Sequence, residues 1–429
     1  MLWLALGGSL FGTVLTGAAL GAALGLTGFV ILQFFAGGST ELAVLGVWNL
    51  MNSFTLSSVP MFILLGDILV ISGLSSRIYG AVVPFFERVP GQLMHSNIAV
   101  CTLFGAVSGS SAATSAAVGS VAYRELAKRG YDKAATAASL AAGGTLGLLI
   151  PPSLSLLIFA AWQDVSVGRL FMAGILPGLM MSGLFMLFIL CDSYRRPRLF
   201  PAAGPAVPLR RKLAGLLDLW PMAILIGAVL GTIYLGLATP TEAAGLGVLA
   251  AVVLGFVIGE LTPRKLMEAA MTSIASFGAL SFVLVGAVVL TQAVMALGLP
   301  KQIADVATTF KLSKVEVLVF VIVFYLVMGV FFDGISLMLT TVPFIYPVMT
   351  GVGFDPVWIG IFVTIMIEIG MLTPPIGVNL FVMVAITRQE VELNSLSREC
   401  LPYWVMLLVG AMLLAIFPQI ALFLPDMLF

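Results

Sequence analysis

Long apolar stretches separated by short clusters of charge set the pattern of this chain. Forty residues precede the first charge at Glu41, and charge-free runs cover 89–123, 134–163, 269–300 and 400–425. Each can hold a membrane span of about 20 residues. The pattern predicts an all-α polytopic membrane protein. Composition agrees, since 60% of the 429 residues are of AVILMFWYC type and 9% are charged, against about a quarter charged in soluble domains. Twenty Lys+Arg balance twenty Asp+Glu, so no basic face exists to neutralise phosphates and nucleic acid is excluded as a partner. The apolar start lacks a basic n-region and runs past residue 30, unlike a cleavable signal peptide. Cys101, Cys191 and Cys400 are odd in number and sit in or beside apolar stretches, which suggests packing rather than a disulfide framework or zinc cluster. His95 is the lone histidine and has no partners for a metal or haem site.

The basic residues orient the chain, because short Lys/Arg-rich loops face the cytoplasm. Clusters lie at Arg124, Lys128, Arg129 and Lys133, at 195–212, and in pairs at Arg77 and Arg88, Arg264 and Lys265, and Arg388 and Arg398. Between Arg88 and Arg124 lie 35 residues, roughly 52 Å as a helix, too long for one span and too short for two. Both ends need the same side, so the stretch reads as a re-entrant hairpin over 93–123 with its tip at Ser108-Gly109-Ser110-Ser111. Non-helical backbone at membrane depth must be buried in protein or line a polar cavity. The following helix, 135–162, is interrupted by Pro151-Pro152-Ser153, which removes backbone donors. A span at 170–192, a basic loop at 193–213 and further spans within 214–298 follow.

The chain then repeats itself. Gly147 to Pro152 and Gly370 to Pro375 share four of six residues at an offset of 223, and Asp132 falls on Asp355 at the same offset. Ser110 falls on Asp333, inside a second hairpin expected over 316–349, and the second broken helix covers 357–386. The loop before the first broken helix carries four basic residues while Thr350 to Pro356 carries none, so the halves point in opposite directions. Two inverted repeats, each with a hairpin tip and a broken helix, form an architecture of secondary transporters whose sites lie at the interruptions. Amphipathic stretches at 75–92 and 299–315 read as interfacial arm helices. A span at 401–424 closes the chain, and two short spans precede the one at 54–74.

The interruptions supply the oxygen ligands a hard cation such as Na⁺ needs. These are backbone carbonyls freed at Pro151, Pro152, Pro374 and Pro375, hydroxyls of Ser108, Ser110, Ser111, Thr145, Ser153 and Thr373, the Asp333 carboxylate and the Asn379 amide. Gly109, Gly334 and Gly377 flank them. Half-helix N-termini at the tips suit a substrate carboxylate. Small residues also pack helices closely and Ser or Thr often bonds back to its own helix, but simple packing does not require both tips and both breaks to recur in register. Glu368, six residues before Pro374, is an acid in apolar surroundings and reads equally as a cavity group or a structural acid. Asp67 is expected to cap or pair locally, and Glu242 to stabilise a helix start.

Five motifs together carry a resemblance: Ser108-Gly109-Ser110-Ser111-Ala112, Pro151-Pro152-Ser153, the run Phe171 to Gly178, Pro240-Thr241-Glu242-Ala243-Ala244, and Thr373-Pro374-Pro375-Ile376-Gly377 with Asn379-Leu380-Phe381. In this order and spacing the chain resembles the large membrane subunit of tripartite ATP-independent periplasmic (TRAP) transporters over nearly its whole length. The resemblance implies a Na⁺-driven importer of small organic acids in a bacterial inner membrane, working with a small four-helix membrane subunit and a periplasmic binding protein. It implies an elevator mechanism. The scaffold would be residues 1–74 and 214–298, the arms 75–92 and 299–315, and the moving halves 93–192 and 316–429. One Na⁺ would sit at Ser110 with the Pro151 break, another at Asp333 with the Pro374 break. Glu368 matches no firm family position. The alternative is a stand-alone Na⁺/carboxylate symporter without a binding protein. An intramembrane enzyme fails for want of a catalytic constellation; a passive channel is possible in principle, but inverted repeats around a central site commonly serve alternating access.

Overall fold

The computed structural model describes residues 8–9, 12–13, 18–201, 207–302 and 312–428. The fold is all-α, with no strand among the described residues. Among the described residues seven helices are long and apolar enough to cross a membrane, or eight if the bent pair Glu41–Met51 and Leu56–Ile71, at 58°, is one span. Before that pair lies Leu20–Phe34. Of the first 53 residues, where two short spans are expected, 1–7, 10–11 and 14–17 lie outside those described, as does most of the second arm expected at 299–315.

The two broken helices form the centre. Lys133–Leu149 and Pro356–Met371 are buried on nearly every face. Their starts are built alike: Asp132 accepts from the Ala135 N–H at 2.8 Å and Asp355 from the Val357 N–H at 2.7 Å. A side-chain oxygen there satisfies amides that have no partner in the first turn. Each central helix then stops at a Pro-Pro pair, both cis, and resumes as Leu154–Gln163 or Val378–Ile386. Beside each stands a hairpin. The first is Leu93–Ser108 and Ser111–Lys128, the second Lys314–Met328 and Gly334–Gly351.

The breaks differ in exposure. Pro151 and Pro152 are buried, whereas Pro374 and Pro375 are exposed.

The helix Pro263–Ala296 has 34 residues and is about 51 Å long. It exceeds the membrane's hydrocarbon thickness, which a helix accommodates by tilting, kinking or reaching beyond it, and its first turns carry Arg264, Lys265 and Glu268. It packs on Leu20–Phe34 and Val59–Ile71. Glycines permit this closeness: a Cβ added at Gly28 would lie 2.6 Å from the Leu290 backbone nitrogen, and one at Gly286 would run into the Gly21 carbonyl, the small-residue contact typical of membrane helices. The first arm is the helix Leu74–Phe86, which starts after Gly73 at φ 72° and packs on the first hairpin. One segment differs from expectation. Residues 401–424 are not a single span, because Leu393–Ile416 ends at Phe417 and Gln419–Leu428 begins anew. Pro418 disfavours helical backbone at the residue before it, and Phe417 adopts φ −121°, ψ 75°.

Candidate functional site between the hairpin tips and the scaffold helices

The first hairpin turns at Gly109, whose φ of 65° is left-handed. A side chain there would be strained and would also meet the Pro152 carbonyl oxygen 2.7 Å away. The Gly109 carbonyl accepts from the Leu154 N–H at 3.1 Å. Tip and break are therefore joined through backbone. Ser110 caps the returning helix, accepting from the Ala113 N–H at 3.3 Å. Ser153 caps the resumed helix at Leu156, and its hydroxyl donates to the Leu148 carbonyl freed by the break. Ser155 donates to the same oxygen at 3.1 Å.

The two halves make a matching contact. A Cβ on Gly105 of the first hairpin would lie 3.0 Å from the Gly147 Cα, and one on Gly329 of the second 3.0 Å from the Gly370 Cα; a Cβ on Gly147 would also meet the Thr114 hydroxyl and the Ser110 carbonyl. Gly147 and Gly370 are equivalent at the offset of 223. Around Gly147 oxygens gather: the Ser108 and Thr114 hydroxyls are 2.6 Å apart, and the Ser115 hydroxyl, beside Gly144, is buried with no hydrogen-bond partner among the described residues.

One amide joins the halves. Asn379, at the start of Val378–Ile386, donates from Nδ2 to the Ala141 carbonyl at 2.9 Å, and its Oδ1 accepts from the Ser111 hydroxyl at 2.9 Å. All this is buried. Buried polar groups are costly unless paired, so the contact fixes the second broken helix against the first hairpin and the first broken helix.

A cavity of about 600 Å³ lies between the tips and the scaffold helices. Ser108, Ser110, Asp333 and Ser336 line it from the tips, and the resumed helices reach it at Leu154 and Val382. Asp67 and Gly66 face them from Val59–Ile71, with Ser276 and Leu280 from the long helix. Its size suits one small molecule.

Of the residues expected at a site, Ser108, Ser110 and Asp333 line this cavity, while Ser111 and Asn379 form the bridge behind it. Gly334 packs on Ile367, and Gly377 lies against the Met371 carbonyl. The Thr145 hydroxyl is donated to Ala142 at 2.8 Å and that of Thr373 to Ile369 at 2.7 Å. Trp404 donates to the Thr373 oxygen at 3.1 Å. Glu368 is fully buried and neither carboxylate oxygen has a hydrogen-bond partner among the described residues; it does not line the cavity. Asp67 corrects the sequence reading, since its partner is not local. It accepts from the Ser273 hydroxyl, 206 positions away, at 2.6 Å, and it lines the cavity. Ser273 and Ser276, three apart in an apolar helix, were the signal for a polar face there. Glu242 forms a capping box with Thr239.

The family model described as "Tripartite ATP-independent periplasmic transporter, DctM component" matches residues 8–420. The chain belongs to this family. The C4-dicarboxylate TRAP transporter large permease protein DctM of Pseudomonas aeruginosa is 33% identical over 411 residues, 94% of each chain. The ectoine large permease TeaC of Halomonas elongata is 35% identical over 376 residues, 87% of each. The sialic acid large permease SiaM of Vibrio cholerae is 30% identical over 379, covering 88% of this chain and 87% of its own. The YdaH transporter of Alcanivorax borkumensis shares the fold, with TM-score 0.66, 18% identity and 90% of each chain covered. The protein is thus a multi-pass transporter permease of the TRAP class.

Proposed function

We propose that this TRAP permease imports a small organic acid on a Na⁺ gradient, by an elevator movement of the hairpins and broken helices against the scaffold. The observation that carries this is the cavity between both tips and the scaffold helices, with an oxygen cluster behind the first tip. Such a cavity exposes its contents to one side or the other when the unit lining one wall slides along the other wall. The hydroxyls of Ser108, Thr114 and Ser115 and the Ser110 carbonyl are hard oxygen donors of the kind Na⁺ takes. At the second tip Asp333 and the backbone near Gly329 supply the corresponding donors. The substrate carboxylate would lie at the starts of the tip helices, where free N–H groups and the helix dipole favour an anion. Relatives named for C4-dicarboxylates, ectoine and sialic acid support a small carboxylate as cargo. Family membership supports a small membrane subunit and a periplasmic binding protein as partners, in a bacterial inner membrane.

The test is uptake by the reconstituted large and small subunits, with and without the binding protein and an inward Na⁺ gradient. Uptake that needs both is expected. Uptake with Na⁺ alone would move the protein to the stand-alone carriers, and uptake indifferent to the gradient would refute the coupling.

A further inference from the structure

We infer that the molecule carried is a zwitterion, a small carboxylate bearing a cationic centre with N–H donors, in preference to a dianion. The inference rests on the import reading above and concerns the same cavity. Two of its lining residues are acids, Asp67 on the scaffold side and Asp333 at the second tip; among the described residues none of the lining is Lys, Arg or His. Asp67 is half-buried and Asp333 exposed, and with two acids and no base in its lining the cavity carries a negative potential. A dicarboxylate would meet like charge on facing walls with no basic side chain to offset it.

Sodium does not remove this asymmetry. An ion held at the second tip would offset Asp333, whereas Asp67 stands on the opposite wall. The Asp67 carboxylate forms no ion pair among the described residues. Its one recorded hydrogen bond, from Ser273, uses Oδ2, so Oδ1 keeps its capacity to accept.

The lining suits a molecule with two unlike ends. Its carboxylate fits the N-terminal end of Ser111–Lys128, the corresponding end of Gly334–Gly351 being capped by Asp333, and its cationic end fits Asp67 across the cavity. That cation should donate N–H bonds, as an ammonium or amidinium does. Among the described residues no aromatic ring lines the cavity, so a quaternary ammonium would find no π-face to rest on.

The experiment uses proteoliposomes of the complete permease with its small subunit and binding protein. They are supplied with a bacterial metabolite extract supplemented with succinate, and accumulated compounds are identified by mass spectrometry with and without an inward Na⁺ gradient. Na⁺-dependent accumulation of an ammonium or amidinium carboxylate, at least tenfold over succinate, is expected. Na⁺-dependent accumulation of succinate or another anion lacking a cationic centre would overturn the inference and leave the import reading standing. No Na⁺-dependent accumulation would overturn both. Asp67→Asn should raise the KM for the accumulated zwitterion at least tenfold, with assembly of the complex checked by gel filtration, and Asp67→Glu should recover part of the loss. An unchanged KM in Asp67→Asn would remove Asp67 from recognition.

Discussion

Asn379 is a fully buried side chain through which the two repeats meet, and its loss can be predicted in energy. Asn379→Leu leaves the Ala141 carbonyl and the Ser111 hydroxyl without their partner inside a dry core. An orphaned buried polar group costs about 1–3 kcal/mol, so a clear fall in the thermal unfolding temperature is expected, with uptake lost alongside. A melting temperature equal to that of the wild type would show that the bridge is not holding the halves. Gly109→Ala acts differently, placing a Cβ at a left-handed φ and against Pro152. It should cost about 1 kcal/mol or more and depress uptake more than it depresses folding, because only the tip is disturbed. Ser108, Ser110 and Asp333 could be read from the sequence since they interrupt apolar runs. Asp67 could be seen as an intramembrane acid, but its role could not. Its partner lies on another helix 206 residues on, a distance no local pattern spans.

Among the elements, the pair Gly147 and Gly370 explains why a Pro-Pro break sits where it does. Each glycine lets a hairpin tip press on the central helix one turn before the break, so the interrupted backbone and the tip share a site. Gly147→Ala would push a methyl into the Thr114 hydroxyl and Ser110 carbonyl. It should raise the Na⁺ concentration for half-maximal uptake several-fold. Gly183→Ala is the control, as a Cβ there meets nothing within 4 Å, and an equal effect of both would argue against an ion at this place. The repeat in the sequence announced that breaks and tips correspond. It did not say which faces touch, because packing of small residues leaves no periodic signature.

A loop contact supplies a pH prediction at the same scale. Lys133 reaches Glu390 at 2.8 Å, and the hydrogen bond it donates holds the Glu390 carboxyl below its ordinary value of 4.5. A depressed carboxyl contributes stability above the unfolded value and loses it as pH falls through the folded one. Acid-side unfolding below pH 4.5 should therefore be shallower in Glu390→Gln than in wild type, with no difference in slope at neutral pH. The effect is small, the pair being exposed.

At the scale of the molecule, the sequence foretold a polytopic helical protein with paired hairpins and broken helices, because hydropathy, proline and charge act over short windows. What it withheld is the wall on the other side of the cavity. Asp67, Gly66 and Ser276 come from two helices distant in the chain, and only folding sets them against the tips. The account requires that this wall and the tips move past each other. A reversible cross-link across the cavity tests that directly. Ile63 lines it from the scaffold and Ala113 from the first hairpin. Cysteines would replace both in a Cys191→Ser background, since Cys191 is exposed while Cys101 and Cys400 are buried. After treatment with a bifunctional methanethiosulfonate, Na⁺-driven uptake should stop, and reduction should restore it. Undiminished uptake by fully cross-linked protein would mean that the two walls do not move apart, and the elevator reading would fall.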